Sequence, residues 1–416
     1  MRLSRRCLGQ QNHPRLLLTS PPSPRTTGVV VHSKREKEFD LVQRILEQTR
    51  RDSLPWVQDL VLPILPDFLN GSDASLVPSD PVIPSESLVE DGGDCRFETV
   101  YGVRIHYRDV IPDNWDPSLP VIVKLHGYNA SLFSWRGTCE YIAQATGARV
   151  IAFDRPPFGL SDRPIEWGDG CELPFNPYEI DGTARLARAF LERVGVETCV
   201  LVGHSAGALT ALFLSEIDPT LVDGLVFVAP ALPSRKEYSF QNRATFGTQL
   251  RIVLSRAIMS MDEPGLRFVR RMIAKQKNSI LENGLGYRPH PATSARYGEL
   301  DESNLSEEML LQEAIDGYFL PLKTANWDMG ALLNLRSFTI PMQYDYSKVQ
   351  QPILVALGET DPLTPSGKCL VEILEERSGC VTESKVFDNC GHIPMEECPI
   401  EFNKALIDFY QSQFRV

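Results

Sequence analysis

The stretch Cys199-Val200-Leu201-Val202-Gly203-His204-Ser205-Ala206-Gly207-Ala208-Leu209-Thr210-Ala211-Leu212-Phe213-Leu214 decides the fold. Its first four residues are an unbroken apolar run, as a parallel strand covered on both faces requires, and Ala208 to Leu214 read as an apolar helix. Between them Gly203-His204-Ser205-Ala206-Gly207 spells Gly-x-Ser-x-Gly. The bare pattern is common at average composition, so the strand before it and the helix after it carry the weight. A turn this tight holds the serine in a strained backbone conformation and tolerates only small neighbours, which places glycine two positions to either side. Ser205 then stands at the carboxyl edge of a sheet, at a helix N-terminus that favours negative charge.

Outward from this turn, short apolar runs alternate with helical windows, the pattern of a sheet with crossover helices. Strands are expected at Phe97–Tyr101 and Val103–Arg108, a hairpin around Gly102, then at Val121–His126, Val150–Asp154, Cys199–His204, Leu225–Pro230, Pro352–Gly358 and Ser384–Asp388. Helical windows cover Leu132–Ala145, Tyr178–Val194, Ala206–Ile217, Gly367–Glu376 and Ile400–Phe414. The fold class is α/β: a mostly parallel eight-stranded sheet, helices on both faces, opened by an antiparallel hairpin. Residues 231–350 far exceed a single crossover and read as an inserted helical cap, with windows at Leu250–Lys277 and Ser306–Tyr318. The core is thus expected in two parts, 95–230 and 351–416. The Arg267, Arg270, Arg271, Lys275, Lys277 cluster reads as a solvated face, with contact to an acidic substrate or phospholipid headgroup as the alternative.

Before the core, residues 36–94 form a helical extension broken by Pro55, Pro63 and Pro66, then a Pro/Ser/Gly linker from residue 76. Residues 1–35 carry seven basic and no acidic side chains, and Leu16-Leu17-Leu18 is too short for a secretory signal core. This leader suggests an organelle transit peptide, plastid or mitochondrion, with cytoplasm as the alternative. The whole 416-residue chain has a formal charge of −12, which argues against a nucleic-acid partner. No apolar run is long enough for a transmembrane span, which leaves peripheral membrane contact open. Nine widely spaced cysteines without Cys-x-x-Cys indicate neither a disulfide framework nor a zinc site. Cys390 alone stands near a residue of chemical interest.

A serine nucleophile needs a base, and the base needs an orienting acid. Of seven histidines, His13 and His32 fall in the leader, His290 in the insert, His106 in the hairpin, and His126 and His204 in glycine turns. His392 remains, in Asn389-Cys390-Gly391-His392-Ile393-Pro394-Met395-Glu396, a loop between the last strand and the final helix. Asp361 follows the strand Pro352–Gly358 and is the expected acid; Glu359, two residues nearer the strand, is expected to turn outward. Backbone N–H groups of Ala206, directly after the nucleophile, and of Tyr128, after Gly127, are the expected oxyanion donors. Phe133, Trp135 and Phe158 are candidate pocket walls. The set needs no cofactor and no metal.

With His126-Gly127, the serine turn, Asp361 and His392 in place, the chain resembles the α/β-hydrolase superfamily over about residues 95–416, including its chain order of serine, acid, histidine. Asp154-Arg155-Pro156-Pro157-Phe158-Gly159-Leu160-Ser161 is similar to the Asp-Arg-Pro-Gly-Phe-Gly-x-Ser segment of lid-bearing, esterase-like members, plant and algal plastid hydrolases among them. Pro157 departs from the usual glycine. The resemblance implies a cap over the active site and an acyl-enzyme. It separates the chain from epoxide hydrolases and haloalkane dehalogenases, which place aspartate at the position of Ser205. The expected activity is hydrolysis of a small-molecule carboxylic ester, of lipophilic kind. Carbon–carbon bond hydrolysis, peracid formation and a hydrolase-derived ligand receptor are the alternatives.

Overall fold

The computed structural model describes residues 83–88, 95–235, 254–294, 304–337, 343–376 and 381–415. The leader and nearly all of the 36–94 extension, with their expected targeting and packing, lie outside the described residues. Eight strands, β1 (Cys95–Val100), β2 (Val103–Val110), β3 (Val121–Leu125), β4 (Val150–Phe153), β5 (Cys199–His204), β6 (Val222–Val228), β7 (Ile353–Gly358) and β8 (Thr382–Phe387), form one sheet in the order β1-β2-β4-β3-β5-β6-β7-β8. The pairs β1/β2 and β2/β4 are antiparallel and all others parallel. The β1–β2 hairpin turns on Tyr101 (φ +51°) and Gly102 (φ +72°), both left-handed, as a two-residue turn that follows the strand twist demands.

Strand composition explains the layers. In β5, Cys199 and Leu201 enter the apolar cluster on one face while Val200 and Val202 enter that on the other, and Leu225 and Phe227 alternate with Val226 and Val228 in β6. The first face is covered by α2 (Ile180–Arg193), α3 (Gly207–Ile217) and α7 (Thr364–Glu375); the second by α1 (Cys139–Thr146) and α9 (Pro399–Phe414).

The window Leu132–Ala145 is not one helix. A 3-10 turn (Leu132–Trp135) precedes α1, and the break falls at Arg136-Gly137-Thr138. A side chain at Gly137 would lie 2.6 Å from Thr293 Cα, so the chain there is shaped by backbone contact with the segment between β6 and β7.

That segment, called the insert below, contains α4 (Asp262–Asn283), α5 (Glu307–Phe319) and α6 (Trp327–Ser337). Ser306 caps α5 by accepting from the Met309 N–H at 3.2 Å. The window Leu250–Lys277 is shifted: residues 254–259 are helical, and α4 begins afresh after the extended Met261. Helix α6 was not expected. Its Gly330 lets it approach the sheet domain, since a Cβ there would lie 2.7 Å from Pro157 Cβ. Within the basic cluster Arg270 meets Asp328 at 2.6 Å, Arg267 meets Glu263 at 3.6 Å, and the Lys277 ammonium lies 5.2 Å from the centre of the Phe319 ring. Residues 83–88 of the expected linker are engaged too, Ile83 N–H donating to Lys323 C=O at 3.0 Å. No helix among the described residues is long and apolar enough to cross a membrane.

Candidate active site

Ser205 sits at the junction of β5 and α3 with φ +49°, a left-handed conformation rare for a residue with a side chain. Its N–H donates to Val228 C=O at 2.9 Å, and its C=O accepts from the Ala208 and Ala231 N–H groups at 3.1 Å each. The flanking glycines are needed for close approach. A Cβ on Gly203 would lie 2.6 Å from Ala208 Cα, and one on Gly207 would collide with the Leu125 carbonyl.

His392, in the loop between β8 and the one-turn helix α8 (Pro394–Glu397), places Nε2 3.1 Å from Ser205 Oγ and Nδ1 2.9 Å from Asp361 Oδ2. The other Asp361 oxygen, Oδ1, accepts from the Leu363 N–H at 2.9 Å, so each oxygen has its own donor. Ser205 and Asp361 are buried, whereas the His392 imidazole is 37% exposed, which leaves it the member of the three open to solvent. Glu359 is exposed and accepts from the Asn389 N–H at 3.0 Å, away from the imidazole.

Of the two expected oxyanion donors, Ala206 occupies the N-cap of α3, where helix geometry leaves N–H groups without intrahelical partners. The loop before Tyr128 lies against the serine: a Cβ on Gly127 would stand 3.3 Å from Ser205 Cβ and 2.8 Å from His204 Nδ1. The structure thus gathers Ser205, Asp361, His392, Ala206 and the Gly127-Tyr128 turn at one sheet edge.

Two histidines set aside in the sequence prove to support this edge. His204 Nε2 donates to the His392 carbonyl at 2.8 Å, fixing the backbone of the imidazole loop from behind. His126 Nδ1 donates to Gly127 C=O at 2.8 Å and its Nε2 accepts from the Arg155 N–H at 2.9 Å. Burial, aided by nearby positive charge, pushes both imidazoles down to about 3, so each stays neutral in a single tautomer. The Arg155 guanidinium, buried and lowered to about 10 by desolvation, donates to His126 C=O at 2.6 Å, Gly127 C=O at 3.3 Å and Thr210 Oγ1 at 3.3 Å. It stitches the Gly127 turn to α3. The sequence signal for these roles was their position: polar residues directly after apolar strands, where a buried polar group must find a partner.

Behind the turn, Asp154 accepts from the Leu132 N–H (2.7 Å), the Leu160 N–H (2.8 Å) and His106 Nδ1 (2.7 Å). Burial opposes charge on His106, but the hydrogen bond and charge of Asp154, with Cys95 beside it, raise it to about 9. Gly159, at φ +57°, keeps the space that the Asp154 carboxylate fills. The peptide bond Pro156–Pro157 is cis.

The insert meets this edge around two cavities. The larger, about 180 Å³, is lined by Ile273, Ile280, Leu285, Phe319, Leu322 and Ile393 among others, with Asn129, Gln276 and Lys277 as polar members. The smaller runs along Tyr128, Ser131, Phe158 and Arg163 to Leu322 and Trp327. Ser205 and His392 line neither; the larger cavity reaches Ile393, next to His392, and the smaller reaches Tyr128. Of the candidate walls only Phe158 lines a cavity. Trp135 is fully buried against Phe402 and His204, and Phe133 lies under the Arg136 guanidinium, 4.0 Å from the ring centre, and against Tyr318.

Insert and sheet domain also share one buried carboxylate. Glu396 Oε2 accepts from Arg136 Nη1 and from the Tyr287 hydroxyl, each at 2.9 Å, and Oε1 accepts from the Tyr318 hydroxyl. Its backbone C=O accepts from the His290 N–H at 2.9 Å. Nearby, Cys390 is a buried free thiol whose Sγ lies 2.9 Å from Cys398 Sγ.

The family model of the alpha/beta hydrolase fold matches residues 120–399. The uncharacterized hydrolase YugF of Bacillus subtilis is 24% identical over 318 residues, covering 76% of this chain and 96% of that protein. Epoxide hydrolase A of Mycobacterium tuberculosis is 24% identical over 343 residues, covering 78% and 97%. Among solved structures, a bromoperoxidase from Bacillus anthracis superposes with a TM-score of 0.52 at 20% identity, over 76% of this chain and 99% of that one. A laboratory-evolved variant of a potato epoxide hydrolase also gives 0.52, at 21% identity, over 76% and 99%. On the family match, with the strand order and the serine turn, the chain belongs to the α/β hydrolase fold family.

Proposed function

We propose that the protein is a serine hydrolase that cleaves a lipophilic carboxylic ester through an acyl-enzyme. The observation that carries the reading is the Ser205–His392–Asp361 line of hydrogen bonds, 3.1 and 2.9 Å, ending on a serine at positive φ. His392 Nε2 takes the hydroxyl proton as Ser205 Oγ attacks the carbonyl carbon, and returns it to the leaving alcohol. Asp361 holds the proton on Nδ1, so that Nε2 is the basic nitrogen, and stabilises the imidazolium. The Ala206 and Tyr128 N–H groups receive the tetrahedral oxyanion; each such donor is worth about 10²–10³ in rate. Water, activated by the same imidazole, then releases the acid.

Serine at this position also argues against the chemistry named for the epoxide hydrolase relatives. A hydroxyl that opened an epoxide would form an ether to the enzyme, which water does not cleave under these conditions. Acyl transfer leaves an ester, which the same histidine can resolve. The apolar lining contributed by α4, α5 and Ile393 supports a lipophilic acyl or alcohol group, with the insert acting as a cap.

The test is labelling of the full chain by a fluorophosphonate probe, followed by turnover of nitrophenyl esters of increasing acyl length. Labelling that disappears in Ser205→Ala, with turnover that rises with chain length, is the expected result. A folded wild type that neither labels nor turns over any ester would overturn the reading.

A further inference from the structure

We propose that Glu397 is a positioning residue for His392, holding the imidazole loop from both sides by a single carboxylate. Its Oε2 accepts from the Gly391 N–H at 2.9 Å and its Oε1 from the Ile393 N–H at 2.8 Å. The two amides are those immediately before and after His392. The loop therefore wraps around a carboxylate, and bonds to an ionised acceptor are about twice as strong as neutral ones.

With the His204 Nε2–H bond to the His392 carbonyl, three consecutive backbone positions are fixed by side chains from outside the loop. Only the imidazole torsions remain, and Asp361 sets those. The match between loop and carboxylate is steric as well as polar. A Cβ on Gly391 would stand 3.0 Å from Glu397 Oε2, so a side chain at 391 would push the carboxylate back by a few tenths of an ångström.

Glu397 is itself held in place. It belongs to α8, whose other acidic residue, the buried Glu396, is claimed by Arg136, Tyr287 and Tyr318. Two adjacent carboxylates on one helical turn thus divide the work. Glu396 fixes α8 to the insert and to Arg136, and Glu397 fixes the histidine loop to α8. Sidechain truncation at 397 would free two amides beside the imidazole without removing any group that touches substrate.

This inference rests on the proposed triad for its kinetic arm and on geometry alone for its spectroscopic arm. In Glu397→Ala, the second-order rate of fluorophosphonate labelling should fall at least tenfold, kcat for a nitrophenyl ester should fall with it, and KM should stay within twofold. Glu397→Gln, which keeps one acceptor oxygen, should fall in between and serves if the alanine variant does not fold. Combined with His392→Ala, either substitution should cost nothing further, because a positioning residue acts through the group it positions. The spectroscopic arm follows the low-field proton of His392 Nδ1, identified by its loss in Asp361→Asn; it should broaden or vanish in the Glu397 variants and persist in Glu401→Ala, a substitution of an exposed glutamate on α9. Unchanged labelling and an unchanged resonance in folded Glu397 variants would overturn the inference. So would a further loss of activity on the His392→Ala background. A wild type that shows the resonance but does not label would refute the hydrolase reading while leaving this one to be decided by the resonance.

Discussion

The sheet edge and the insert face each other across the cavities, and they are held by different means. At the edge, side chains are tied to backbone: His204 to the His392 carbonyl, His126 and Arg155 to the Gly127 turn, Asp154 to the amides of Leu132 and Leu160. These bonds keep atoms within a few tenths of an ångström, the precision that proton transfer and oxyanion binding need. The insert meets the edge through apolar side chains and a few polar joints, chiefly Tyr287 and Tyr318 on Glu396 and Arg163 on the Pro321 carbonyl at 3.4 Å. Apolar packing is non-directional and tolerates repacking. On the proposed function the chemical step falls to the edge and the choice of substrate to the insert, so substitutions in the two regions should separate into kcat and KM effects.

The hardest test of that division lies at Asp361. Asp361→Asn keeps the shape of the side chain but can present an amide N–H to Nδ1, which favours the wrong imidazole tautomer. We expect kcat for a nitrophenyl ester to drop by about 10³–10⁴ with KM little changed. A drop below tenfold would break the assignment of chemistry to the edge.

The joint between the regions is the next place to press. Glu396 is fully buried, and removing it in Glu396→Ala leaves the Arg136 guanidinium only the longer contact to Glu313 at 3.8 Å. Breaking such a buried pair costs about 3–5 kcal/mol, read as a lower denaturant midpoint at unchanged slope. Tyr318→Phe removes one donor of the same cluster and should cost about 1.5–3 kcal/mol. If both variants retain wild-type stability, the insert is not held by this carboxylate. If Tyr318→Phe instead lowers kcat while leaving KM alone, the boundary between the regions has been drawn in the wrong place.

The two regions also differed in how much of them could be read from sequence. Gly203, Ser205 and Gly207 announced the serine turn because the strand and helix around them leave few alternatives, and the parallel strands followed from runs such as Val121-Ile122-Val123. His392 and Asp361 came from position along the chain, since a residue just beyond a parallel strand reaches the sheet edge. What escaped depends on contacts between distant segments. The break in Leu132–Ala145 is made by Thr293, α6 docks because Gly330 admits Pro157, and Glu396 is buried only because Arg136 and two tyrosines from the insert arrive to meet it. Local periodicity carries none of these. The roles of His126 and His204 were not legible, because a turn histidine looks idle until the carbonyls it serves are known.

A last, smaller effect distinguishes buried histidines within the sheet domain by pH. His106, on β2, is raised to about 9 by Asp154, against an unfolded value near 6.5. Below about pH 6.5 both states carry the proton and the pair contributes fully; between 6.5 and 9 only the folded state holds it, so stability declines as pH rises, by on the order of 3 kcal/mol in all. His126 and His204 have the opposite sign. Held down to about 3, they contribute fully above 6.5 and lose that contribution as pH falls toward 3. His106→Asn keeps a donor near the Nδ1 position for Asp154 and removes the titration. Urea unfolding at pH 5, 6.5 and 9 should therefore show a shallower alkaline decline in the variant than in the wild type, while the decline from pH 6.5 to 5, to which His126 and His204 contribute, stays the same. Taking the difference between the two proteins cancels the buried thiols such as Cys199, whose unfolded forms also titrate on the alkaline side. Equal alkaline slopes would mean that His106 is neutral in the fold, and that Asp154 holds the Leu132 and Leu160 amides without a cationic partner.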